Sequence, residues 1–374
     1  MKITNPFLTK GYIAPEYFCD RVSETEKIIS AIENGRDLAL ISLRRMGKTG
    51  LIQHVIHQSR IKSDYNVIYC DIYQANDLAE MTRLFGNSTF NQLEKTTDKM
   101  LKKLKQFFLG IASSVTINPI TLQTDIDFRI ENNEQAEITI QQIFSMIDKS
   151  AKPTLLVFDE FQQIEKFPEN NVEAVMRTYI QQMNNVRLIY SGSSKHILSA
   201  MFFDRDRPFY QSTQLLELGK IETSEYIKFI QEKFTLGNIE INDLTTQKLL
   251  EFTRHHTYYV QYLCNRLFET GISIITEEVI IEKLTTILQE NESYYYGFRN
   301  LLTEQQYLLL KAIGKEDGIA QPSSKKFINK HKLGTTSTIN SAIKSLLNKE
   351  LIFKEDGIYK VYDVFFSLWL KLFN

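Results

Sequence analysis

The feature that most constrains the fold is a short apolar run that leads into a glycine-lysine-threonine triplet. Residues Ile41–Val55 read ISLRRMGKTGLIQHV, close to the phosphate-binding pattern G-x-x-x-x-G-K-[ST]. Gly47, Lys48 and Thr49 match its last three positions, and Ser42 stands in place of its first glycine. Such a loop binds phosphate only where it follows a strand and opens a helix, because backbone N–H groups then point at the anionic oxygens.

Apolar runs elsewhere in the chain supply the rest of such a domain. Short continuous runs of this kind are typical of strands covered on both faces in a parallel sheet. Helical periodicity lies between them, as in Val172–Met183, whose apolar residues share one face. The alternation predicts an α/β fold, a P-loop NTPase domain with its nucleotide at the carboxyl ends of the strands. The predicted strands are Asp37–Ser42, Asn66–Tyr73, Pro153–Phe161, Val186–Ser193 and Gln214–Ile221.

The loop residues have separate predicted tasks. Gly47 lets the backbone approach the phosphates, Lys48 reaches the β- and γ-phosphate oxygens, and the hydroxyl of Thr49 binds Mg²⁺. Ser42 is compatible with the first position if its φ is negative. The other residues of the predicted nucleotide-binding segment are Leu43, Arg44, Arg45, Met46 and Gly50.

A later apolar strand ends in two carboxylates. Leu155–Phe158 is followed directly by Asp159 and Glu160. In phosphoryl-transfer enzymes of this design the first acid holds the Mg²⁺ shell near the loop hydroxyl, and an adjacent acid can polarise the attacking water as a general base. Asp159 is therefore the predicted metal-linked residue and Glu160 the predicted catalytic base. Exposed acids at a strand end are common alone, but beside the phosphate loop they indicate a nucleotide site.

Polar and cationic side chains near the next strand extend this site. Ser191, Ser193 and Ser194 end the run VRLIYSGSS, and Ser191 is the preferred γ-phosphate sensor, although such serines are often turn residues. An arginine delivered to the γ-phosphate, in cis or from another subunit, can accelerate hydrolysis strongly. Arg205 and Arg207 are candidates for that role, although a salt-bridged surface is favoured for them.

The segment between the second and third strands is long and is predicted to be an insertion, residues 79–135. Met81–Phe108 is a lysine-rich helical stretch, and Asp125–Ile130 alternates like a small strand. Its lysines could meet an acidic partner, but a solvated helix face is favoured. These lysines are Lys99, Lys102, Lys103 and Lys105.

The C-terminal segment has the pattern of a winged helix-turn-helix. Three helical stretches, the third opening on Thr336 or Ser337 as its cap, precede two short strands joined at Asp356-Gly357, which is a strong hairpin signal. The predicted domains are a P-loop domain (1–222), a helical lid (223–298) and a winged helix (299–374).

The charge of the C-terminal segment does not decide whether the segment binds DNA or protein or acts as a lid. Leu301–Asn374 has eleven Lys and Arg against seven Asp and Glu, which would suit phosphate contacts. In the third helix, Thr338, Ser341, Lys344 and Lys349 are predicted to face outward, with none of the arginines that usually read guanine. Direct DNA binding, a lid role and protein docking are therefore all considered.

Cysteine spacing and hydropathy exclude several other classes. The three cysteines, Cys19, Cys70 and Cys264, are far apart, so neither a zinc site nor a disulfide framework is predicted. No signal peptide and no membrane span are recognised. A soluble, cytoplasmic protein is expected.

Several segments together resemble a known family, the archaeal-type ATPases, which belong to the signal-transduction ATPases with numerous domains (STAND) within the wider AAA-like (ASCE) group. The resemblance spans nearly the whole chain. It is carried by YFCDRVSETEKI (17–28), RRMGKTGLI (44–52), VFDEFQQI (157–164), YSGSSKHIL (190–198), RPFYQST (207–213), HHTYYVQYLCNRLF (255–268) and YDVFFSLWL (362–370).

The resemblance implies ATP as the nucleotide and adds binding residues. It places Tyr17, Phe18 and Arg21 near the adenine end and assigns a nucleotide contact to His256 in the lid. Two departures from the family pattern concern this contact and the arginine sensor. Thr257 follows the histidine where many members have proline, and Tyr210-Gln211-Ser212 stands where many relatives have Tyr-Gly-Arg.

The function expected from these features is a Mg²⁺-dependent ATP-binding and ATP-hydrolysing switch, with water attack on the γ-phosphate aided by Glu160. The alternative is a nucleotide-gated DNA- or protein-binding regulator with little turnover. A small-molecule kinase is a weaker third hypothesis, because no acceptor-binding lid motif is apparent. A nucleotide-dependent oligomer is compatible with all three.

Overall fold

A computed structural model of the chain describes residues 5–92, 99–117, 124–128 and 130–373. These residues form two compact units, one of residues 10–221 and the other of residues 5–9 together with 222–373. No helix among the described residues combines the length and the apolar character needed to cross a bilayer.

The first unit is built on a parallel sheet. Five of its described strands pair in the order β2-β5-β6-β1-β7, and every neighbouring pair is parallel. All five predicted strands are thereby confirmed. Each is shorter than predicted, and the observed first residue equals the predicted one in β2, β6 and β7. The strands of the unit are β1 (Leu38–Ile41), β2 (Asn66–Asp71), β3 (Ala112–Ile117), β4 (Thr124–Phe128), β5 (Thr154–Asp159), β6 (Val186–Gly192) and β7 (Gln214–Glu217).

The inner strands β1, β5 and β6 are buried on both faces of the sheet. In β5, Leu155 and Val157 belong to one buried core, and Leu156 and Phe158 belong to the other. Burial on both sides explains the continuous apolar runs in the sequence. The described helices of the unit are α1 (Val22–Glu33), α2 (Lys48–His57), α3 (Ser59–Asp64), α4 (Leu78–Gln92), α5 (Lys99–Ile111), α6 (Asn133–Asp148), α7 (Val172–Ile180) and α8 (Lys195–Phe203), with 3-10 turns at Pro15–Tyr17 and Phe161–Lys166.

The insertion contains α4, α5 and an antiparallel pair formed by β3 and β4. The predicted small strand corresponds to β4, whereas β3 was not predicted because its sequence, ASSVTI, is half polar. Of the lysines considered for an acidic partner, Lys102 and Lys103 are exposed. The side chains of Lys99 and Lys105 lie outside the described part of the structure.

The second unit is mainly helical. Its two-residue strands β8 and β9 form a small parallel pair that is too short to give a sequence signal. Its described elements are α9 (Thr223–Thr235), β8 (Glu240–Ile241), α10 (Asp243–Phe252), α11 (Thr257–Phe268), β9 (Ile274–Ile275), α12 (Glu277–Glu290), α13 (Glu292–Leu301), α14 (Glu304–Lys315), α15 (Lys325–His331), α16 (Thr336–Asn348), β10 (Ile352–Glu355), β11 (Ile358–Val361) and α17 (Val364–Leu372).

The winged helix-turn-helix pattern is present in α14–α16 and the β10–β11 hairpin. Asp356 and Gly357 have φ values of 50° and 82°, and positive φ at both central residues is what a tight type I′ hairpin turn requires. The predicted cap of α16 was wrong by one or two residues. Thr335 is extended and its Oγ1 accepts from the Thr338 backbone N–H at 3.3 Å, since a capping hydroxyl reaches the third helical residue.

Candidate functional site

The phosphate-loop segment lies between β1 and α2, as the motif requires. Gly47 caps α2 with φ of 96°, and Arg45 also has a positive φ of 63°. Leu51 is the first residue of the helix whose N–H is bonded within it, to Gly47 O at 2.9 Å. The N–H groups of the preceding turn have no acceptor inside the helix, which is the arrangement that binds phosphate oxygens.

Lys48 is placed beside the two predicted acids. Its side chain is buried, with 6% of the residue exposed. Burial is the largest influence and lowers the pKa of Lys48, the charges of Glu160 and Asp159 oppose this, and Arg44 lowers the pKa further. The ammonium therefore lies in a partly desolvated site where its attraction to phosphate is stronger than in water.

Thr49 and Asp159 meet across the site. Thr49 Oγ1 donates to Asp159 Oδ2 at 3.1 Å, and Asp159 is 3% exposed. The hydroxyl of Tyr69, on β2, donates to the same carboxylate oxygen. Burial, and secondarily the charge of Asp159, raise the pKa of Tyr69, so that its phenol stays a donor.

Glu160 follows β5 in an uncommon backbone conformation. Its φ is 57°, in the left-handed region that non-glycine residues seldom adopt and that often marks functional sites. Gln162 Nε2 and Ser193 Oγ both donate to its Oε2, the latter at 2.9 Å. Arg44 Nε in turn donates to Ser193 Oγ at 3.3 Å. Glu160 is thereby connected to the phosphate-loop segment through Ser193.

The two serines at the end of β6 differ in their surroundings. Ser191 is fully buried, and its hydroxyl has no hydrogen-bond partner among the described residues. Ser193 is the serine that contacts Glu160. The sensor role of Ser191 remains a prediction, and Ser193 is a site residue that the sequence interpretation named without preferring it.

Gly192 separates these serines and leaves room for Gln162. A Cβ at this position would lie 1.9 Å from Gln162 Oε1 and 2.6 Å from Leu198 Cδ1. We expect Gly192→Ala to displace Gln162 from Glu160, to lower the rate of phosphate release from ATP, and to cost about 1–3 kcal/mol of unfolding free energy. Thermal unfolding and phosphate release measure the two effects.

The matched control for this substitution is Gly110→Ala. Gly110 lies in α5, and a Cβ there would meet no atom within 4 Å. This variant should keep both stability and activity, since alanine is a better helix former than glycine. Equal behaviour of the two variants would show that the space beside Gln162 is not needed.

Aromatic rings surround the first turns of α2. The Phe18 ring lies 3.5 Å from the position of a Cβ on Gly50 and stacks on His54 with centroids 4.4 Å apart. The Tyr12 hydroxyl is hydrogen-bonded to His54 Nδ1 at 3.0 Å. Burial and neighbouring His57 lower the pKa of His54, which favours its neutral form. Tyr12 and His54 were not identified from the sequence, where they lack a motif.

Arg21 is buried and hydrogen-bonded within the first unit. It is 3% exposed, donates to Glu24 Oε1 and donates to Gly219 O, both at 2.8 Å. Tyr17 ends the first 3-10 turn. The placement of Tyr17, Phe18 and Arg21 near an adenine ring remains a prediction.

His256 belongs to the second unit. It is the N-cap residue of α11 and is 7% exposed. Its ring contacts Tyr259 edge to face, with centroids 4.9 Å apart. The nucleotide contact assigned to it remains a prediction.

Arg207 is engaged by carboxylates. Its guanidinium forms ion pairs with Glu165 and Glu173, and the hydrogen bond to Glu165 contributes most to the raised pKa of Arg207. This arrangement favours the salt-bridged surface over a γ-phosphate contact for Arg207. Arg205 is exposed.

Several solved structures share the fold of this chain. The Walker-type ATPase PabY2304 of Pyrococcus abyssi aligns with a TM-score of 0.68 and 14% identity, over 98% of this chain and 100% of that one. The Aeropyrum pernix ORC2 protein, solved as ADPNP-ADP complexes, aligns with a TM-score of 0.59 and 13% identity, over 99% and 96%. The ORC1 protein of Aeropyrum pernix in complex with DNA gives 0.54 and 10%, over 98% and 96%.

Family comparisons identify both parts of the chain. A family described as a probable winged helix domain matches residues 293–372, and one described as an ATPase domain predominantly from Archaea matches residues 18–235. A comparison with curated protein sequences gave no significant match. Since the ATPase match covers more than half of the sequence, the chain belongs to this family of ATPases.

Proposed function

We propose that the chain is a Mg²⁺-dependent ATP-hydrolysing molecular switch in which Glu160 activates the attacking water. The observation that carries this proposal is the Asp159-Glu160 pair at the end of β5, with the Thr49 hydroxyl 3.1 Å from Asp159 and Lys48 buried beside both acids. This is the set of groups that phosphoryl transfer to water needs: a cation for the β- and γ-phosphates, oxygen ligands for Mg²⁺, and a base.

Mg²⁺ fits the oxygen atoms that this chain presents. Magnesium prefers hydroxyl, carboxylate and phosphate oxygens, and Thr49 Oγ1 and Asp159 Oδ2 are already adjacent. When bound, the ion would neutralise charge that develops between the β- and γ-phosphates. Thr49 would hold it directly, and Asp159 would orient its shell.

Glu160 is the proposed base. Gln162 and Ser193 donate to one of its carboxylate oxygens, Oε2, so the other oxygen, Oε1, is available to accept a proton. The water proton would pass to that oxygen as the water oxygen bonds to the γ-phosphorus. The bond between the γ-phosphorus and the bridging oxygen would break, and Lys48 would stabilise the charge on ADP and phosphate.

The remaining assignments concern nucleotide contacts and organisation. Backbone and side chains of residues 42–50 would surround the phosphates, and Ser191 would sense the γ-phosphate. Tyr17, Phe18, Arg21 and the lid residue His256 would contact the nucleoside. We keep the domain division proposed from the sequence, with a P-loop domain (1–222, insertion 79–135), a helical lid (223–298) and a winged helix (299–374).

The switch proposal is that ATP and ADP favour different arrangements of the two units. Differential binding of the two nucleotides would be required, because a ligand shifts an equilibrium only by its difference in affinity for the two states. X-ray scattering of the Glu160→Gln variant with ATP and with ADP measures this difference. Identical radii of gyration in the two states would contradict the switch.

A macromolecular partner of the winged helix is also proposed. The C-terminal domain has an excess of lysines. Helix α16 exposes Thr338, Ser341 and Lys344, and Lys349 is exposed directly after its last residue. This surface favours DNA through phosphate contacts, which would make the chain a nucleotide-gated DNA-binding regulator. Assembly into a nucleotide-dependent oligomer and a cytoplasmic location are parts of the same proposal.

Thr49→Val tests the magnesium site. The substitution removes the metal-binding hydroxyl and keeps the branched shape, so we expect the gain in ATP affinity that Mg²⁺ provides to be largely lost. Equilibrium binding of a fluorescent ATP analogue with Mg²⁺ and with EDTA measures the gain, and Thr49→Ser should restore it. An unchanged gain in Thr49→Val would remove this hydroxyl from the site.

A further inference from the structure

A cleft between α13 and α14 brings cations and tyrosine rings together in the second unit. Its volume is about 350 Å³. Arg299 comes from the last turn of α13, and Lys311 lies on the face of α14 that Tyr307 also occupies. The lining residues are Tyr296, Arg299, Glu304, Tyr307, Leu308 and Lys311.

The cleft has more positive than negative charge. Arg299, Lys311 and nearby Lys315 form no salt bridge with any residue that the structure describes, whereas Lys330 of the same domain is paired with Glu316 at 2.5 Å. Glu304 is the carboxylate among the lining residues. The local excess of positive charge is available to an anion.

Burial and the neighbouring positive charges lower the pKa of Lys311. It is partly buried. Burial lowers the pKa of Lys311, and the charges of Lys315 and Arg299 lower it further. An anion bound beside these groups would stabilise the ammonium that the free protein destabilises, since opposite charges favour the charged form.

Aromatic surface accompanies the charge. Tyr296 is 48% exposed, and its ring is held by an edge-to-face contact with Trp369 at a centroid distance of 5.0 Å. Exposed tyrosine rings beside cations are the elements on which proteins stack single-stranded bases while binding their phosphates.

We propose that this cleft binds a nucleotide unit of a single-stranded nucleic acid, with its base on Tyr296 and its phosphate on Arg299 and Lys311. The volume is within the range of about 300–1,000 Å³ typical of small-ligand pockets. Such a site recognises a strand without reading its sequence. Its lining residues belong to α13 and α14 and include none of the residues considered for duplex binding, and the site does not depend on ATP hydrolysis.

Fluorescence anisotropy of a labelled oligothymidylate strand with the full chain tests the charge component. We expect the double substitution Arg299→Gln with Lys311→Gln to weaken binding at least about tenfold and to reduce the salt slope by about 1.4, at about 0.7 per phosphate contact. The control pair Lys27→Gln with Lys62→Gln makes the same charge change at two exposed lysines of the first unit and should alter affinity at most about twofold. The reverse pattern would overturn the proposal.

A second pair of measurements tests the stacking of the nucleic-acid base on Tyr296 and controls for misfolding of the variants. Tyr296→Ala should weaken oligothymidylate binding about tenfold, and an abasic strand of equal length should bind weakly and be insensitive to it. Glu304→Gln removes the carboxylate and should tighten binding, an effect that unfolding cannot produce. Equal affinity for the abasic strand, or weaker binding by Glu304→Gln, would overturn the assignment.

Discussion

Replacing Glu160 with glutamine is expected to lower the rate of phosphate release from Mg-ATP by about 10²–10⁴-fold, the contribution typical of a general base. Glutamine has nearly the same shape and can still accept hydrogen bonds from Gln162 and Ser193 at the position where Glu160 accepts them. It cannot take the proton of the attacking water. ATP should therefore remain bound, and the variant should accumulate the ATP state.

Glu134→Gln is the matched control for this substitution. Glu134 is exposed in the first turn of α6, so the same change there should leave turnover unaltered. Single-turnover hydrolysis and equilibrium ATP binding separate the chemical step from affinity. Turnover by Glu160→Gln at the wild-type rate would remove Glu160 from the mechanism.

Lys48→Ala should have the second largest effect, and it should act on binding as well as hydrolysis. A charge-assisted hydrogen bond contributes about 1.5–3 kcal/mol, so losing the contact with the phosphates should weaken ATP binding about 10–100-fold. Burial strengthens the effect, since Lys48 is 6% exposed and placed beside Asp159 and Glu160. Without it, two carboxylates would repel the nucleotide.

Isothermal titration with ATP and thermal unfolding with and without Mg-ATP measure this prediction. Lys62→Ala, at an exposed lysine of α3, is the control and should bind ATP as the wild type does. If Lys48→Ala retained wild-type affinity, the phosphates would have to bind elsewhere than at the loop between β1 and α2.

The central sheet was predictable because its signals are local in sequence. The inner strands β1, β5 and β6 are mostly apolar runs because they are buried on both faces. The loop and the acids were predictable for a related reason, since Gly47, Lys48 and Thr49 form a short pattern and Asp159 and Glu160 end an apolar strand. The polar strand β3 and the two-residue strands β8 and β9 lack such signals.

The contacts around Glu160 depend on features that a single sequence does not state. Tyr69 reaches Asp159 because β2 and β5 pair in one particular register, with Asp71 opposite Asp159. Ser193, rather than Ser191, reaches Glu160 because the chain leaves β6 at Gly192. Strand register and the path of a loop are set by tertiary packing, and neither has a short-range pattern.

The measurement that tests the account most directly is phosphate release from Mg-ATP by purified wild-type protein, beside Lys48→Ala and Glu160→Gln, with and without duplex DNA. The account predicts turnover by the wild type that is lost in both variants, with ATP still bound by Glu160→Gln. Wild-type protein that binds ATP without turnover in any condition would contradict it and would favour the nucleotide-gated regulator. Equal turnover in all three proteins would contradict the assignment of the site itself.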